Sequence, residues 1–447
     1  MKTLIHPFTK NPHRTLLALS FPVLLSMTAE PLTALIDTAF VASLGSVSLA
    51  ALGVGTTALS SLFWIFNFLN IGAQTEVAQA DGKGHPEKAG EIASLSLMIA
   101  VGFGFLLILL ILPNADMLAT LLGASGEVRA DAVSYMRIRT YGAPAVLLMM
   151  VTFGVLRGLQ DMRTPLWIAL GMNALNIVLD WMMIFGNGPF PVMGVAGSAL
   201  ASTISQWLGA LVGIVVIASK LGLSLSRNIS DLKRLLKVGG DLFVRTGLLT
   251  FFLAFTTRAA TQIGADAGAA HQAIRQVFLF TSLALDAYAS TVQSLVGYFV
   301  GQDALVWAKK VVVTGAKWSL WTGFALGALM WFGRDLVMEL LIPASAVGVF
   351  LPAWAISSLS QPINSIAFLT DGAHWGTGDF RFLRNAMIVS VLIAMIGVWL
   401  VDLSAPRALM GIWIAVSALA ISRAAFGFLR VWPGIGQSPY RGQETGD

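Results

Sequence analysis

Apolar residues run along the chain in twelve long blocks with short polar connections between them, at about 16–43, 48–79, 89–113, 129–157, 164–186, 193–219, 236–263, 268–299, 306–332, 344–375, 382–402 and 408–430. A helix needs roughly 20 predominantly apolar residues to cross the hydrocarbon core of a bilayer, and every block reaches that length. Several exceed it, which demands tilt, a bend or an extension beyond the membrane. A spanning β-barrel would instead show short segments of alternating polarity. The expected fold class is therefore all-α: an integral membrane protein of twelve transmembrane helices.

The connections carry a second pattern. The N-terminus and every second connection hold Lys2, Lys10 and Arg14; Lys83 and Lys88; Arg157 and Arg163; Lys220, Arg227, Lys233, Arg234 and Lys237; Lys309 and Lys310; Arg381 and Arg384; and Arg430 and Arg441. The intervening connections hold only Arg129, Arg334 and Arg407. Basic residues accumulate on the cytoplasmic side of membrane proteins, so both termini are expected there, in a multi-pass protein of the cytoplasmic (inner) membrane. The leading stretch MKTLIHPFTKNPHRT does not resemble a cleavable signal.

The blocks also repeat. GVLRGLQDMR at 154–163 is matched by GAHWGTGDFR at 372–381, sharing Gly, Gly, Asp and Arg at one spacing. Gln74 and Gln293, Gly82 and Gly301, Asp116 and Asp335, Pro144 and Pro362, and MGV at 193–195 with MGI at 410–412 keep nearly the same offset. Chance does not hold so many pairs at one separation. A duplicated six-helix unit is expected, as lobes 1–225 and 226–447 joined by the basic segment KLGLSLSRNISDLKRLLK at 220–237. An even number of helices gives both halves one topology, related by a pseudo-two-fold along the membrane normal, with a site between them near the midplane.

Composition narrows the function. Of 447 residues, 56% are hydrophobic and 11% charged, against about 25% charged in soluble domains. The net charge of +5 comes from the orienting loop residues, so nucleic acid is not an expected partner. With no cysteine, thiolate metal sites and cysteine nucleophiles are excluded. There is no GxxxxGK[ST] phosphate loop, HExxH pair or GxSxG elbow, so neither an enzyme nor a cofactor is expected. The histidines, at 6, 13, 85, 271 and 374, are scattered and expected at loops or helix ends. A transporter driven by an ion gradient remains.

Acids inside the blocks mark where that ion would bind, because an ionised side chain at a helix centre costs roughly 2.5–3.5 kcal/mol on insertion scales and is usually retained for an ion or proton route. Those well inside the blocks are Glu30, Asp37, Asp180, Asp286 and Asp371, with Asp241 nearer an end. Glu30 and Asp37, seven apart, share one helix face at two depths, about 10 Å apart. Asn173, Asn176 and Asp180 recur at spacings of three and four and so share one face of the fifth helix; Ser198, Ser202, Thr203 and Ser205 lie on the sixth. Asp37, Asn176, Asp180 and Thr203 offer oxygen atoms for a sodium ion, or a proton shared between two carboxylates. The same polar groups can also bond one another and fix helix packing.

PLTALIDTAFVASLG in the first helix, Asn176 and Asp180 in the fifth, GDLFVRTG at 240–247, LDAYASTVQSLVG at 285–297, and QPINSIAFLTDG followed by GTGDFRFLR at 361–384 resemble the multidrug and toxic compound extrusion (MATE) transporters, in particular their DinF-like branch. The resemblance spans nearly the whole chain. It implies two six-helix lobes around a central cleft, and export of small amphipathic, often cationic compounds by alternating access in antiport with protons or sodium ions.

By that resemblance Asp37 is the first-helix coupling acid, Asn176, Asp180 and Thr203 are its polar partners, and Pro22 lets the first helix bend. Asp241 and Arg245 match a seventh-helix pair whose i,i+4 spacing suits an intrahelical ion pair. An acid at Glu30 departs from the family pattern: it is either an added proton or substrate site or a packing residue. Asn173, Asp286 and Asp371 are further candidates. Thr256 stands at the repeat position of Asp37, and Asp180 has no acidic counterpart, so coupling is expected to concentrate in the N-terminal lobe, with protons favoured over sodium. Phe63, Trp64 and Phe66 are candidates for an aromatic cleft wall. A lipid-linked precursor flippase is the alternative, kept open by Arg137, Arg139, Arg258 and Arg275. A monomer in the lipid bilayer is expected.

Overall fold

In a membrane interior every backbone N–H and C=O must be satisfied within its own segment, which makes long apolar runs helical. The computed structural model describes residues 6–224 and 229–441, and among these every regular element is a helix. In chain order they are α1 (Pro7–Lys10), α2 (Pro12–Ala42), α3 (Ser46–Ile65), α4 (Phe68–Gly82), α5 (Pro86–Leu121), α6 (Gly126–Thr140), α7 (Ala143–Gly158), α8 (Arg163–Phe185) and α9 (Gly194–Leu221). There follow α10 (Ile229–Ile263), α11 (Ala265–Gly301), α12 (Leu305–Phe332), α13 (Arg334–Leu341), α14 (Val347–Leu359), α15 (Gln361–Thr377), α16 (Phe380–Trp399) and α17 (Ala408–Val431).

Among the described residues, eight spans are long and apolar enough to cross a membrane, α3 and α4 counting together, and two bent pairs qualify jointly. Helices α11 and α12, of 37 and 28 residues, have the length but carry Asp266, Arg275 and Asp286, and Lys309, Lys310 and Lys317. Together these elements occupy the twelve positions expected from the apolar blocks. Leu109, Trp321, Phe332 and Trp399 lie on the outside, where only lipid makes so much exposed apolar surface stable.

The helices form two compact units, Leu25–Gly239 and Met1–Leu24 with Gly240–Asp447. The lobe division expected between 225 and 226 lies outside the described residues, as do Lys2 and Arg227. The units change over inside helices, at Leu24/Leu25 in α2 and Gly239/Gly240 in α10. Both points adjoin residues that weaken a helix: the buried Pro22, which removes a backbone donor, and a glycine pair.

Within the Leu25–Gly239 unit, α7 packs against α4, α5 and α9, and α8 against α9. Within the other, α15 packs against α11, α12 and α17, and α16 against α17. The neighbours match element for element under the repeat. Helices α6 and α7 meet at a 49° bend, and the span ending in α15 bends by 46°. Pro144 and Pro362, a repeat pair, sit in the first turns of α7 and α15; each lacks the N–H that would continue the preceding helix.

The repeated decapeptide acts in packing. Gly154 lies against the Asn70 carbonyl and Gly372 against that of Ala289; a Cβ added to Gly158 would stand 2.8 Å from the Gln74 carbonyl oxygen, and one on Gly376 2.7 Å from that of Gln293. Glycines four apart thus let backbones touch, as small-xxx-small faces do in membranes. At the same ends, Asp161 accepts from Lys220 at 2.7 Å and Asp379 from Arg430 at 2.8 Å. Burial alone would raise the Asp161 carboxyl, but the Lys220 and Thr164 hydrogen bonds outweigh it and hold it below the ordinary carboxylate range.

Candidate functional site

Four helices of the Leu25–Gly239 unit supply a polar cluster. Helix α2 meets α8 where the Phe40 ring stands edge-on to Phe185, 5.8 Å between centroids. The i, i+3, i+7 spacing turns Asn173, Asn176 and Asp180 of α8 to one side, and all three are buried, Asp180 completely. Asp37 of α2 and the Ser198 hydroxyl of α9 are the polar groups against Asp180. Among the described residues the Ser198 hydroxyl is the one neutral donor beside the Asp180 carboxyl, and no cation is bonded to it. Two ionised carboxylates are both acceptors, so a bond between them exists only when one holds a proton.

The remaining candidates are placed unevenly. Asn176 Nδ2 donates to Ser202 Oγ at 3.4 Å, and the Thr203 hydroxyl donates to Ala199 O of its own helix at 2.8 Å. The Asn173 amide nitrogen and the Ser205 hydroxyl are buried without a partner among the described residues. Glu30 is exposed on the surface of its unit, one face of α2 with Asp37. Pro22, Asp286 and Asp371 belong to the other unit.

Two members were not expected at the cluster. Tyr135 of α6 is buried, its ring filling the space that a Cβ on Gly55 of α3 would need. Arg139, one turn on, donates to Gln206 Oε1 of α9 at 2.7 Å, and its charge acts on Tyr135, Glu30, Asp37 and Asp180. The spacing of four between Tyr135 and Arg139 was a visible signal, but Arg139 was read with Arg137 only as a possible phosphate contact.

The Met1–Leu24 and Gly240–Asp447 unit treats its buried acid differently. Asp371 Oδ2 accepts from Arg245 Nη2 and, at 2.5 Å, from Arg423 Nη2, with all three side chains buried. Trp375 lies 5.2 Å from the Arg245 guanidinium and Phe368 5.4 Å from that of Arg423, while Asp286 adds a second negative charge near Arg245. The expected Asp241–Arg245 pair does not form: Asp241 binds Arg384 at 2.5 Å, because a buried guanidinium gains more from the desolvated Asp371 than from a neighbour near the helix end. Thr256, at the repeat position of Asp37, donates to Leu253 O of its own helix at 2.9 Å.

Two further expectations are corrected. His271 is neither in a loop nor at a helix end: it is buried two turns into α11, 3.3 Å from the Thr257 hydroxyl. Phe63 is buried, and Phe66 packs on Phe68 and Phe103 at 5.9 and 5.2 Å, so of the three proposed wall aromatics Trp64 alone is exposed. Among the described residues no group of three His, Asp or Glu side chains is arranged to hold a metal.

The MatE family model matches residues 22–182 and 242–400, the two repeats found in the sequence. Protein DETOXIFICATION 44, chloroplastic, of Arabidopsis thaliana is 29% identical over 431 residues, covering 93% of this chain and 81% of its own. DNA damage-inducible protein F of Escherichia coli (strain K12) is 28% identical over 395 residues, covering 86% and 84%. A crystal structure of MATE in the straight conformation superposes with a TM-score of 0.84 at 22% identity, covering 94% of this chain and 95% of the other.

Proposed function

The chain belongs to the MatE family of multi-pass membrane efflux transporters, which are not enzymes, and on that premise we propose that it exports small amphipathic, often cationic compounds in antiport with protons taken up at Asp37 and Asp180. One observation carries the proposal: Asp180 is wholly buried and its acidic neighbour is Asp37, with the Ser198 hydroxyl beside them. Two buried charges so placed repel, and a shared proton relieves the repulsion and bonds the two. Asn176, Ser198 and Thr203 shape the surrounding helices; Tyr135 closes the cluster from α6.

In this reading protonation from the outer side neutralises the pair and changes how α2 packs against α8, with Pro22 as the weak point of α2. Substrate leaves, and release of the proton inward restores the charge. Coupling requires only that proton and substrate favour different states. The protein acts as a monomer of two six-helix lobes, 1–225 and 226–447, in the inner membrane with both termini cytoplasmic. The lipid-linked precursor flippase gains nothing from Arg139, which is engaged by Gln206 and the acids.

The test is efflux of a fluorescent organic cation from proteoliposomes under a proton gradient and, separately, a sodium gradient. Wild type should respond to the proton gradient and Asp37→Asn should not. Equal transport by the two proteins would remove Asp37 from the mechanism; no transport by either would redirect the search to lipid-linked cargo.

A further inference from the structure

We propose that the Met1–Leu24 and Gly240–Asp447 unit holds a second ligand site, in which His271 and Arg275 of α11 and Trp413 of α17 take the carboxyl group of a small amphipathic compound. The inference goes beyond the coupling reading and does not depend on Asp37 or Asp180, which lie in the other unit.

These polar groups sit in an apolar core. Residues four apart on a helix lie one above the other, so α11 turns His271 and Arg275 to one side. The His271 ring stands 5.6 Å from that of Trp413, which also meets Phe278 at 6.0 Å. Trp413 belongs to a buried apolar cluster with Ala260 of α10 and Ala270 and Ile274 of α11. His271 and Trp413 are each 2% exposed.

In this setting three nitrogens are buried without a partner among the described residues: His271 Nδ1, Arg275 Nε and Trp413 Nε1. A polar atom left unbonded away from water is costly, and a core made for packing alone gains nothing by keeping three of them. The other His271 nitrogen is engaged. The Thr257 hydroxyl gives its one proton to Leu253 O at 2.9 Å and therefore accepts from His271 Nε2 at 3.3 Å. That contact ties the ring to α10 and leaves Nδ1 for a ligand.

Charge decides what the ligand carries. Arg275 Nη1 donates only to the neutral Gln272, at 3.5 Å, and among the described residues Arg275 has no ion pair. Acids of the same unit are taken elsewhere: Asp266 accepts from Ser345 at 2.7 Å, Asp241 binds Arg384, and Asp371 holds Arg245 and Arg423. A carboxyl group supplies the missing negative charge and the right valence. One of its oxygens shares a proton with His271 Nδ1, whichever of the two holds it, and the remaining lone pairs accept from Trp413 Nε1 and Arg275 Nε. A phosphate monoester carries nearly two charges at neutral pH, which one guanidinium does not balance. The apolar surroundings take the rest of the molecule, as in small-molecule sites where a few polar groups orient a ligand held mostly by apolar walls.

The experiment reads binding without transport. Full-length protein in a non-ionic detergent is unfolded thermally at pH 7 with increasing 4-phenylbutyrate, its methyl ester or phenyl phosphate, at equal ionic strength. Wild type should show a saturable rise in melting temperature with 4-phenylbutyrate alone. Arg275→Gln should need about ten times more of it for half the rise, the loss of one charge-assisted hydrogen bond. Trp413→Phe and His271→Phe, which keep an aromatic ring in place and serve if Arg275→Gln folds poorly, should each need several times more. No saturable rise in wild type, an equal rise with the ester, or variants that respond at the wild-type concentration would overturn the inference. A larger rise with phenyl phosphate would overturn the carboxyl assignment and give the cluster to a phosphate instead.

Discussion

Each compact unit buries an acid inside a helix, and the two are handled in opposite ways. Asp371 is clamped by Arg245 and Arg423, with aromatic rings beside both guanidiniums. Asp180, among the described residues, has no ion pair and faces another acid and the Ser198 hydroxyl. A carboxylate gripped by two guanidiniums ties three helices, α10, α15 and α17, together. One set beside a second acid gains a bond by taking up a proton. Burial of an acid in a membrane thus does not by itself mark a coupling site; the inventory of its partners does.

The largest expected effect sharpens that contrast. Asp371→Asn removes the negative charge between two buried arginines, and breaking a buried ion pair on one side costs about 3–5 kcal/mol. Poor expression and a sharply lowered melting temperature should follow. Asp180→Asn removes a charge that nothing neutralises by direct bonding, so its melting temperature should equal or exceed that of wild type while proton-driven efflux falls to the protein-free leak rate. The comparison breaks if Asp371→Asn folds normally and loses proton coupling, since Asp371 would then be the carrier.

A smaller effect should be shared by both units, because the glycine repeat serves both alike. Gly154→Ala and Gly372→Ala each push a methyl group into a facing backbone carbonyl, and overpacking of this kind costs about 1–3 kcal/mol. The two variants should melt at similarly lowered temperatures and, where folded, retain proton-driven efflux. Loss of coupling in Gly154→Ala with stability intact would show that the α4–α7 contact belongs to the transport machinery.

What could be seen in the sequence follows from range. Twelve spans, the duplication and the Asn173–Asn176–Asp180 face depend on apolar run length and on spacings within one or two turns, which are local. Pro144 with Pro362, and Gly154 with Gly372, were visible as repeats, but their bends and backbone contacts were not, since residue spacing says nothing of which helix lies opposite. The Asp371 clamp joins residues 126 and 52 positions apart. Local spacing instead suggested the Asp241–Arg245 pair that does not form. Arg139 was noticed only as a possible phosphate ligand; its partner Gln206 lies 67 positions away, and no periodicity links them.

The smallest effect concerns the ends of the helices, where the units are alike again. Asp161 accepts from Lys220 at 2.7 Å and from the Thr164 backbone at 3.0 Å, which ties the start of α8 to the end of α9. Because these bonds hold its folded carboxyl below the ordinary range, the stability it contributes is fully present above the unfolded value of about 4 and is lost as pH falls through the lower folded value. Asp161→Asn should therefore cost about 1 kcal/mol at neutral pH. The melting-temperature gap to wild type should close on acidification. A gap that persists or widens in acid would mean that the side chain acts by packing or through its Thr164 cap rather than by its charge, and the likeness to Asp379 and Arg430 would then be one of shape alone.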